Sequence, residues 1–310
     1  MALSVAEIMA RAGLGSGDVI ACTTLTGGLS HRVLRVETDG GTYVVRVLDP
    51  AVSEAGLGVP ARLEIENTVR AAGVGPAVLY ADGDTMVLEY IEGATLDRDD
   101  VRRLETIPRL AAACRRLHAG PAFAGDFNIF RKAEELLDRC RRHDLRVPDG
   151  YGDHLPVMTA IEGAVERAPL PAAPCHNDLL PENFIDDGHD VRIVDFQLSG
   201  MNDPAFELGD IAAEGDFEPG RVEALAAAYF GGEMSAALLA RVRLYLLVSN
   251  VTWTLWFAIH HGLLAHRAAD AAFDYDAEAA DKWGQARRDL ADPDLGRLID
   301  LTAHRGRAVT

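Results

Sequence analysis

The chain has 310 residues, 48% of them hydrophobic, which is enough for a sizeable core and for two lobes or domains. A formal net charge of −18 argues against nucleic acid as a partner, because an acidic surface repels phosphate backbones, and it suits a small cationic substrate better. The four cysteines, Cys22, Cys114, Cys140 and Cys175, include no C-x-x-C pair. This pattern favours buried free thiols in a reducing cytoplasm over a disulfide framework or a zinc site.

Two segments bear on targeting and membrane insertion. Residues Met1–Asp18 mix charged and apolar side chains at helical spacing and lack a basic region followed by an apolar core, which predicts a short packed helix rather than a signal peptide. The run Leu244–Ala265 has nearly the length of a membrane span, but polar residues such as Ser249, Asn250 and His260 interrupt it. We therefore expect a buried helix there, no membrane span, and a cytoplasmic protein.

Residues 1–90 are predicted to form a small lobe with an antiparallel sheet and one main helix. Within Cys22–Asp49, three β-branched runs are separated by turns, and Asp39-Gly40-Gly41 is a strong hairpin signal. The earlier turn at Gly27-Gly28 could cover phosphates with its backbone N–H groups, although most glycine pairs are simple turns. The remaining predicted elements are a helix from about Arg62 to Ala72 and strands around Val78–Ala81 and Met86–Tyr90.

Arg46 is a charge inside the apolar third strand, so it either points outward or has a buried partner. The helix that follows carries Glu64 and Glu66. A strand cation paired with a helix carboxylate orients nucleotide phosphates in kinase small lobes, and two surface charges are the alternative. The segment from Glu89 to Gly93 then marks a lobe boundary, where an adenine would bind to backbone groups.

Residues 91–310 are predicted to be mostly helical. Since the sequence shows no repeats and no low-complexity linker, we expect one bilobal α+β unit, with residues 1–90 as the nucleotide-binding lobe and residues 91–310 as the catalytic and substrate lobe. The predicted helices are Pro108–His118, Phe130–His143, Asp153–Ala168, Arg221–Tyr229 and Met234–Leu264.

The stretch from Cys175 to Asp210 contains the densest chemistry. His176, Asp178 and Asn183 form the pattern H-x-D-x-x-x-x-N, and a mostly apolar run then ends in Asp195. A carboxylate base and an amide ligand on one loop, followed by a strand that delivers a second carboxylate, is the arrangement that phosphoryl transfer needs. We predict Asp178 as the general base, His176 as a brace for the catalytic loop, and Asn183 and Asp195 as Mg²⁺ ligands. A chance match in a turn is the alternative, and the joint spacing argues against it.

At these residues the chain resembles the aminoglycoside phosphotransferase and choline kinase superfamily, which has a protein-kinase-like fold. Gly27-Gly28-Leu29-Ser30 is similar to its nucleotide loop, and Arg46 stands where the phosphate-orienting cation belongs, with Glu64 as its predicted partner and Glu66 as the alternative. Gln197, rather than glycine, follows Asp195-Phe196, which argues against a protein substrate. The resemblance implies ATP and Mg²⁺ as cofactors, with Gly27, Gly28, Ser30, Arg46, Glu64, Glu89 and Ile91 around the nucleotide.

Within that superfamily, three features resemble choline and ethanolamine kinases. They are the His176-Asn177-Asp178 loop, the segment from Asp195 to Glu214, and Trp253-Thr254-Leu255-Trp256, which is similar to a W-x-x-W motif whose indoles help to cage a quaternary ammonium. Tryptophans three residues apart share a helical face, and indole faces attract alkylammonium groups, with core packing as the alternative. The implied substrate contacts are Asn177, Gln197, Glu214, Phe217, Trp253 and Trp256.

Several departures leave the acceptor open. Gln197 replaces the usual glutamate, Leu198 the usual tyrosine, and His31 stands where asparagine is common. Our first hypothesis is an ATP-dependent kinase of a small cationic alcohol, choline or ethanolamine, acting as a monomer or homodimer. An aminoglycoside or another small hydroxylated molecule is the second possible acceptor. A nucleotide-binding regulator without catalytic output is a remote third hypothesis.

Overall fold

The structure is a computed structural model that describes residues 3–14, 18–25, 31–55, 57–264 and 273–304. A short N-terminal helix precedes an antiparallel sheet, and most of the chain after the sheet is helical, as predicted. The strands are β1 (Val19–Thr24), β2 (Arg32–Thr38), β3 (Gly41–Val47), β4 (Val78–Asp82), β5 (Thr85–Glu89), β6 (Ala94–Thr95), β7 (Ala173–Cys175), β8 (Phe184–Asp186), β9 (Val191–Ile193) and β10 (Gly200–Asn202). The α-helices are α1 (Val5–Ala12), α2 (Pro50–Glu54), α3 (Ala61–Arg70), α4 (Arg98–Val101), α5 (Ile107–His118), α6 (Ile129–Arg142), α7 (Leu155–Arg167), α8 (Pro204–Glu214), α9 (Pro219–Phe230), α10 (Ala236–Ile259), α11 (Tyr275–Leu290) and α12 (Leu295–Ala303).

The small lobe is a five-stranded antiparallel sheet in the order β1-β2-β3-β5-β4. Thr38 pairs with Gly41, so the predicted hairpin turns through Asp39 and Gly40 alone. Alternate residues of β2 are buried, as period-two patterning requires, and α1 packs Ile8 and Met9 against that face. Ser4 and Glu7 form a capping box at the start of α1, which confirms the predicted N-terminal helix.

The connector between the sheet and the helical lobe follows β5 directly. A β-carbon on Gly93 would lie 2.4 Å from the carbonyl oxygen of Asp186, so only glycine lets the connector pass this close to β8. β8 pairs with both β6 and β9 in a small three-stranded sheet. The connector is thus packed directly against the strands that follow the catalytic loop, and the division at residue 90 stays a prediction.

The long helix α10 lies at the centre of the helical lobe and contacts α6, α8, α11 and α12. With its π-helical end at His260–Leu264, it is long and apolar enough to cross a bilayer by length and composition. However, 83% of its most apolar window is buried inside the protein, as in the core helix of a soluble protein. The predicted buried helix is therefore present, although its regular α-helical part ends at Ile259.

Helix α8 was not predicted from the sequence. Asp203 caps it by accepting a hydrogen bond from the backbone of Ala205, and all eleven of its residues are buried. Because every face is covered, apolar residues do not recur at helical spacing, and the usual signal is lost. A β-carbon on Gly209 would lie 2.7 Å from both the backbone nitrogen of Leu246 and Cβ of Tyr245, so α8 is in direct backbone contact with α10.

Helices α11 and α12 also lie beyond the last predicted helix. The buried face of α11 includes Lys282 and Gln285 as well as Trp283, so its inner side does not look apolar in the sequence. A helix with polar groups on its core face defeats a prediction from hydrophobic periodicity.

An ion pair between α5 and β8 gives a pH-dependent contribution to stability. Arg109 donates two hydrogen bonds to Asp186, one of them 2.7 Å long, and these lower the pKa of Asp186 to about 2 from the usual 3.8. The stabilisation is therefore present above the usual pKa and is lost as the pH falls towards 2. We expect Asp186→Asn to lower the urea midpoint at about pH 5 and to match the wild type near about pH 2. Asp149→Asn, at an exposed site, is the control, and a midpoint difference that did not shrink at low pH would contradict this assignment.

Candidate active site

The catalytic loop follows β7 directly, and His176 fixes its first turn. The ring is fully buried, its Nε2 lies 2.9 Å from the carbonyl oxygen of Val194, and its Nδ1 accepts a hydrogen bond of 3.3 Å from the backbone N–H of Asp178. Burial lowers the pKa of His176, so the imidazole is neutral. These contacts fit the predicted role as a brace, because both ring nitrogens are used to join the loop to the strand that follows it.

Glu207, on α8, holds the backbone of the catalytic loop through hydrogen bonds. Its carboxylate accepts backbone hydrogen bonds from His176 at 2.9 Å and from Asn177 at 2.7 Å, and His118 lies 3.1 Å away. Although burial opposes it, the hydrogen bond with His118 keeps the pKa of Glu207 below its usual value. A buried, ionised carboxylate therefore holds two successive amides of the catalytic loop in place.

Asn177 is turned into the protein rather than towards a substrate. It adopts a left-handed backbone conformation with φ of 69°, which asparagine tolerates better than most residues. Its side-chain nitrogen donates to the carbonyl oxygen of Leu198 at 2.9 Å, and its side-chain oxygen accepts from Asn202 at 2.8 Å. This geometry argues against the predicted acceptor contact and instead gives Asn177 a bracing role.

Asp210, one turn along α8, holds the other side of the loop. It accepts hydrogen bonds from the backbone of Leu179 at 2.8 Å, from the Ser249 hydroxyl at 2.7 Å and from Trp253 Nε1 at 2.8 Å. Burial and the neighbouring Glu214 raise its pKa to about 7. The indole N–H of Trp253 is therefore engaged in positioning Asp210, whatever its ring faces contact.

Asp178 and Asn183 lie at the rim of the loop. The side-chain nitrogen of Asn183 donates to the Asp178 carbonyl oxygen at 2.8 Å, so its side-chain oxygen is the atom that suits a cation. The Asp178 side chain is half-buried, and other charged side chains act on it. Burial, followed by the negative charges of Asp210 and Asp195, raises the pKa of Asp178 well above its usual value. The raised pKa makes this carboxylate a stronger base than a free aspartate.

Arg46 links the small lobe to the strand-end aspartate. Its Nε lies 2.9 Å from Glu64 on α3, and its Nη2 forms a short ion pair with Asp195. Burial alone would lower the pKa of Arg46 and raise that of Asp195. The ion pairs outweigh burial, so Asp195 and Glu64 raise the pKa of Arg46, and the Arg46 guanidinium lowers the pKa of Asp195. Glu66 instead pairs with Arg70 at 2.6 Å, so the choice between the two glutamates falls on Glu64.

A cleft of about 260 Å³ lies between the sheet and the catalytic loop. The predicted nucleotide-binding residues Arg46, Glu64, Glu89 and Ile91 line it together with the predicted metal ligands Asn183 and Asp195. Apolar side chains from β3 and β5 form the wall of the cleft on the side of the sheet, which suits the planar base of a nucleotide. The predicted phosphate-loop residues Gly27, Gly28 and Ser30 lie outside the described residues.

His31, the first described residue after that loop, contacts Glu64, which lines this cleft. Its Nδ1 accepts a hydrogen bond from the backbone of Asp49 at 3.0 Å, and its Nε2 lies 3.6 Å from Glu64. The residue that departs from the family pattern therefore contacts the carboxylate that pairs with Arg46.

Two of the predicted acceptor contacts are covered by a loop from the small lobe. Gln197 is 4% exposed and Trp256 is 8% exposed. Gln197 Nε2 donates a hydrogen bond of 3.1 Å to the carbonyl oxygen of Leu57, and Trp256 Nε1 lies 3.5 Å from the same oxygen. The backbone N–H of Val59 in turn donates to the Gln197 carbonyl oxygen at 2.8 Å. The side of the loop predicted to receive the acceptor is therefore closed in this conformation.

The remaining predicted acceptor contacts, Glu214 and Phe217, lie at and just beyond the end of α8. Glu214 forms an ion pair of 2.7 Å with Lys282, and both side chains are buried. Phe217 lies in the wall of a second cavity of about 550 Å³ built from the ends of α8 and α9 and from α10 and α11. Glu214 thus contributes to the raised pKa of Asp178, whereas Phe217 lines a different cavity.

Three contributors to the site were not predicted from the sequence: Glu207, Asp210 and Lys282. The first two, with Glu214, are spaced three and four residues apart in an otherwise apolar stretch, which is the spacing of one helical face. That acidic stripe was a usable signal. Lys282 gave none, because a lysine at helical spacing usually marks a solvated face.

His118, Cys175 and Glu207 also place a nitrogen, a sulfur and an oxygen within 4.8 Å of one another. Burial and the charge of Glu207 raise the pKa of the Cys175 thiol well above its usual value. A metal ligand would need the thiolate, so we interpret the cluster as part of the hydrogen-bonded base of the catalytic loop.

The sequence profile of the phosphotransferase enzyme family matches residues 21–245. The chain belongs to this family. Its structure is similar to that of a choline/ethanolamine kinase family protein from Mesorhizobium loti, with a TM-score of 0.75 and 31% identity over 96% of this chain and 99% of that one. The predicted superfamily and its kinase-like α+β fold are confirmed.

Two further relatives agree with this assignment. Protein LicA of Haemophilus influenzae is 24% identical over 267 residues, which cover 80% of this phosphotransferase and 77% of LicA. Ethanolamine kinase 2 of Rattus norvegicus is 26% identical over 163 residues, which cover 47% of this chain and 41% of that enzyme. The protein is a small-molecule kinase that transfers a phosphoryl group to a hydroxyl.

Proposed function

We propose that this phosphotransferase uses ATP and Mg²⁺ to phosphorylate the hydroxyl group of a small aminoalcohol, with choline and ethanolamine as the first candidates. The observation that carries the proposal is the concentration of carboxylates around Asp178: Asp195, Asp210 and Glu214 all act on it electrostatically. Asp195 and Asp210 therefore favour a cationic acceptor near the base, whereas the charge of Glu214 is offset by Lys282. The names of the relatives, which include choline and ethanolamine kinases, support the same acceptor class.

In this mechanism Asp178 accepts the proton of the acceptor hydroxyl while the hydroxyl oxygen attacks the γ-phosphorus of ATP. The bond between that phosphorus and the β–γ bridging oxygen breaks, and ADP leaves. His176, Glu207 and Asp210 keep the base in position by holding the loop backbone, so little reorganisation is needed at the moment of transfer. Arg46, fixed by Glu64, lies in the cleft where it can orient the phosphates.

The donor set of the cleft suits Mg²⁺. Asn183 offers an amide oxygen and Asp195 a carboxylate, and magnesium prefers such hard oxygen ligands together with phosphate oxygens and water. When bound, Mg²⁺ would neutralise phosphate charge. Asp195 is 21% exposed at its side chain, so its carboxylate is accessible from the cleft although it pairs with Arg46.

An assay of ADP release with different acceptors tests the proposal. We expect choline and ethanolamine to raise ATP turnover to about 1–100 per second, the usual range for kinases, and mass spectrometry to identify the phosphorylated alcohol. Kanamycin should leave turnover at the acceptor-free rate. Stimulation by kanamycin alone would favour an aminoglycoside acceptor, and tight Mg·ATP binding without stimulation by any acceptor would favour a regulator.

A further inference from the structure

Lys282 places a positive charge of the protein itself beside Glu214, one of the predicted acceptor contacts. It is one of only two lysines in the chain, and its side chain is fully buried on the inner face of α11. Its Nζ lies 2.7 Å from Glu214 Oε2 and 3.4 Å from the carbonyl oxygen of Ala213. Glu214 is itself only 4% exposed, so an ammonium group already neutralises the carboxylate that the sequence predicts for the cation of the substrate.

The pair lies close enough to the base to affect an acceptor there. Glu214 lies one helical turn after Asp210, which accepts a hydrogen bond from the backbone N–H of Leu179, the residue next to Asp178. In keeping with this position, Glu214 raises the pKa of Asp178 and Lys282 lowers it. An alcohol bound at Asp178 would therefore experience the Glu214 charge and the Lys282 charge together. Because the two opposite charges lie only 2.7 Å apart, they largely cancel for a group farther away than that separation, whereas an unpaired Glu214 would attract a cation.

Trp256, which is also predicted to contact the cation of the substrate, is likewise in contact with a side chain of the same chain. Trp256 stacks on the imidazole of His260 with ring centroids 4.9 Å apart, and His260 stacks in turn on Tyr275 at 4.4 Å. One face of the indole is thus covered by a ring of the same chain. An aromatic face that holds a neighbouring ring is not available to an alkylammonium group.

We propose that Lys282 is a specificity-determining residue that weakens the preference of the acceptor site for cationic over neutral alcohols, by occupying Glu214. This inference rests on the proposed aminoalcohol kinase activity and narrows its acceptor class. The expected acceptors are then small alcohols that the enzyme recognises more by the shape of their head group than by its positive charge. Removing the Lys282 charge should make the enzyme more selective for a cation, and removing the Glu214 charge should do the opposite.

A purely structural ion pair is the competing explanation, because Lys282 also joins α11 to the end of α8. Removing one partner of a buried pair leaves the other uncompensated and destabilises the fold, whichever partner is removed. Stability therefore changes in the same direction in both single variants. Selectivity between a charged and a neutral acceptor should change in opposite directions, which a structural role alone does not produce.

The experiment compares choline with 3,3-dimethyl-1-butanol, its neutral isostere in which carbon replaces nitrogen. We expect Lys282→Met to raise the ratio of kcat/KM for choline to that for the isostere by about tenfold, which corresponds to about 1.4 kcal/mol of charge–charge interaction. Glu214→Gln should lower the ratio by about the same factor. The double variant, which replaces the ion pair by a neutral pair of similar size, should return within about threefold of the wild-type ratio and recover thermal stability.

Lys132→Met is the matched control, because Lys132 is a partly buried lysine that pairs with Glu135 within α6, and its loss should leave the ratio unchanged. An unchanged ratio in both single variants, with reduced stability, would overturn the proposal and leave a structural ion pair. If Lys282→Met does not fold, Glu214→Gln and the double variant still decide the question. Failure of the wild type to phosphorylate either alcohol would instead refute the proposed function, and this inference with it.

Discussion

Asp178→Asn is expected to lower kcat by about 10³-fold, the middle of the range for losing a general base. The amide has nearly the shape of the carboxylate but cannot accept the hydroxyl proton. The loop should keep its conformation, because the contacts that hold it are made by the Asp178 backbone and by neighbouring residues. Stopped assays of ADP release give kcat, and titration with Mg·ATP should show nucleotide affinity within about twofold of the wild type.

Asp149→Asn makes the same chemical change at an exposed position and should retain full activity. Wild-type turnover by Asp178→Asn would show that the hydroxyl proton leaves by another route and would refute the mechanism. A variant that lost both turnover and nucleotide binding would point to a disturbed loop, and its thermal stability would then be lower than that of the wild type.

Asp195→Asn is expected to lower kcat/KM by about 10²-fold or more at a fixed magnesium concentration, since a charged ligand becomes a neutral one. The magnesium concentration for half-maximal activity should rise, and added Mg²⁺ should restore part of the rate. Arg46 would keep Glu64 as its partner, so the small lobe should stay intact. Magnesium titrations of ATP turnover measure the effect, and an unchanged magnesium requirement would remove Asp195 from the predicted ligand set.

Much of the fold could be predicted because its sequence signals are local. The Asp39-Gly40 hairpin, the capped N-terminal helix and the helices with one apolar face all lie close to where patterning places them. Helices α8 and α11 could not be found in this way, because one is buried on all sides and the other buries polar residues. Tertiary packing, rather than local periodicity, defines both helices.

The distinction between local sequence signals and tertiary packing also applies to the candidate active site. Residues at a fixed spacing in the chain, such as Asp178, Asn183 and Asp195, could be expected to lie together at one site, and the roles given to them stay predictions. The Arg46–Glu64 pair required the fold to decide between two glutamates. Asn177 and Lys282 could not be assigned from the sequence, since their roles depend on which way a side chain turns and which distant helix meets it.

Helix α8 bears Glu207, Asp210 and Glu214 on a backbone that touches α10 at Gly209 without any space for a side chain. The three carboxylates therefore move together, so a shift of this helix would displace the predicted base and the predicted acceptor contact Glu214 at once. Natural or engineered changes in acceptor preference should accordingly accumulate on α11, which carries Lys282, and near the end of α10, which carries Trp256. The catalytic loop can then stay constant while its substrate changes.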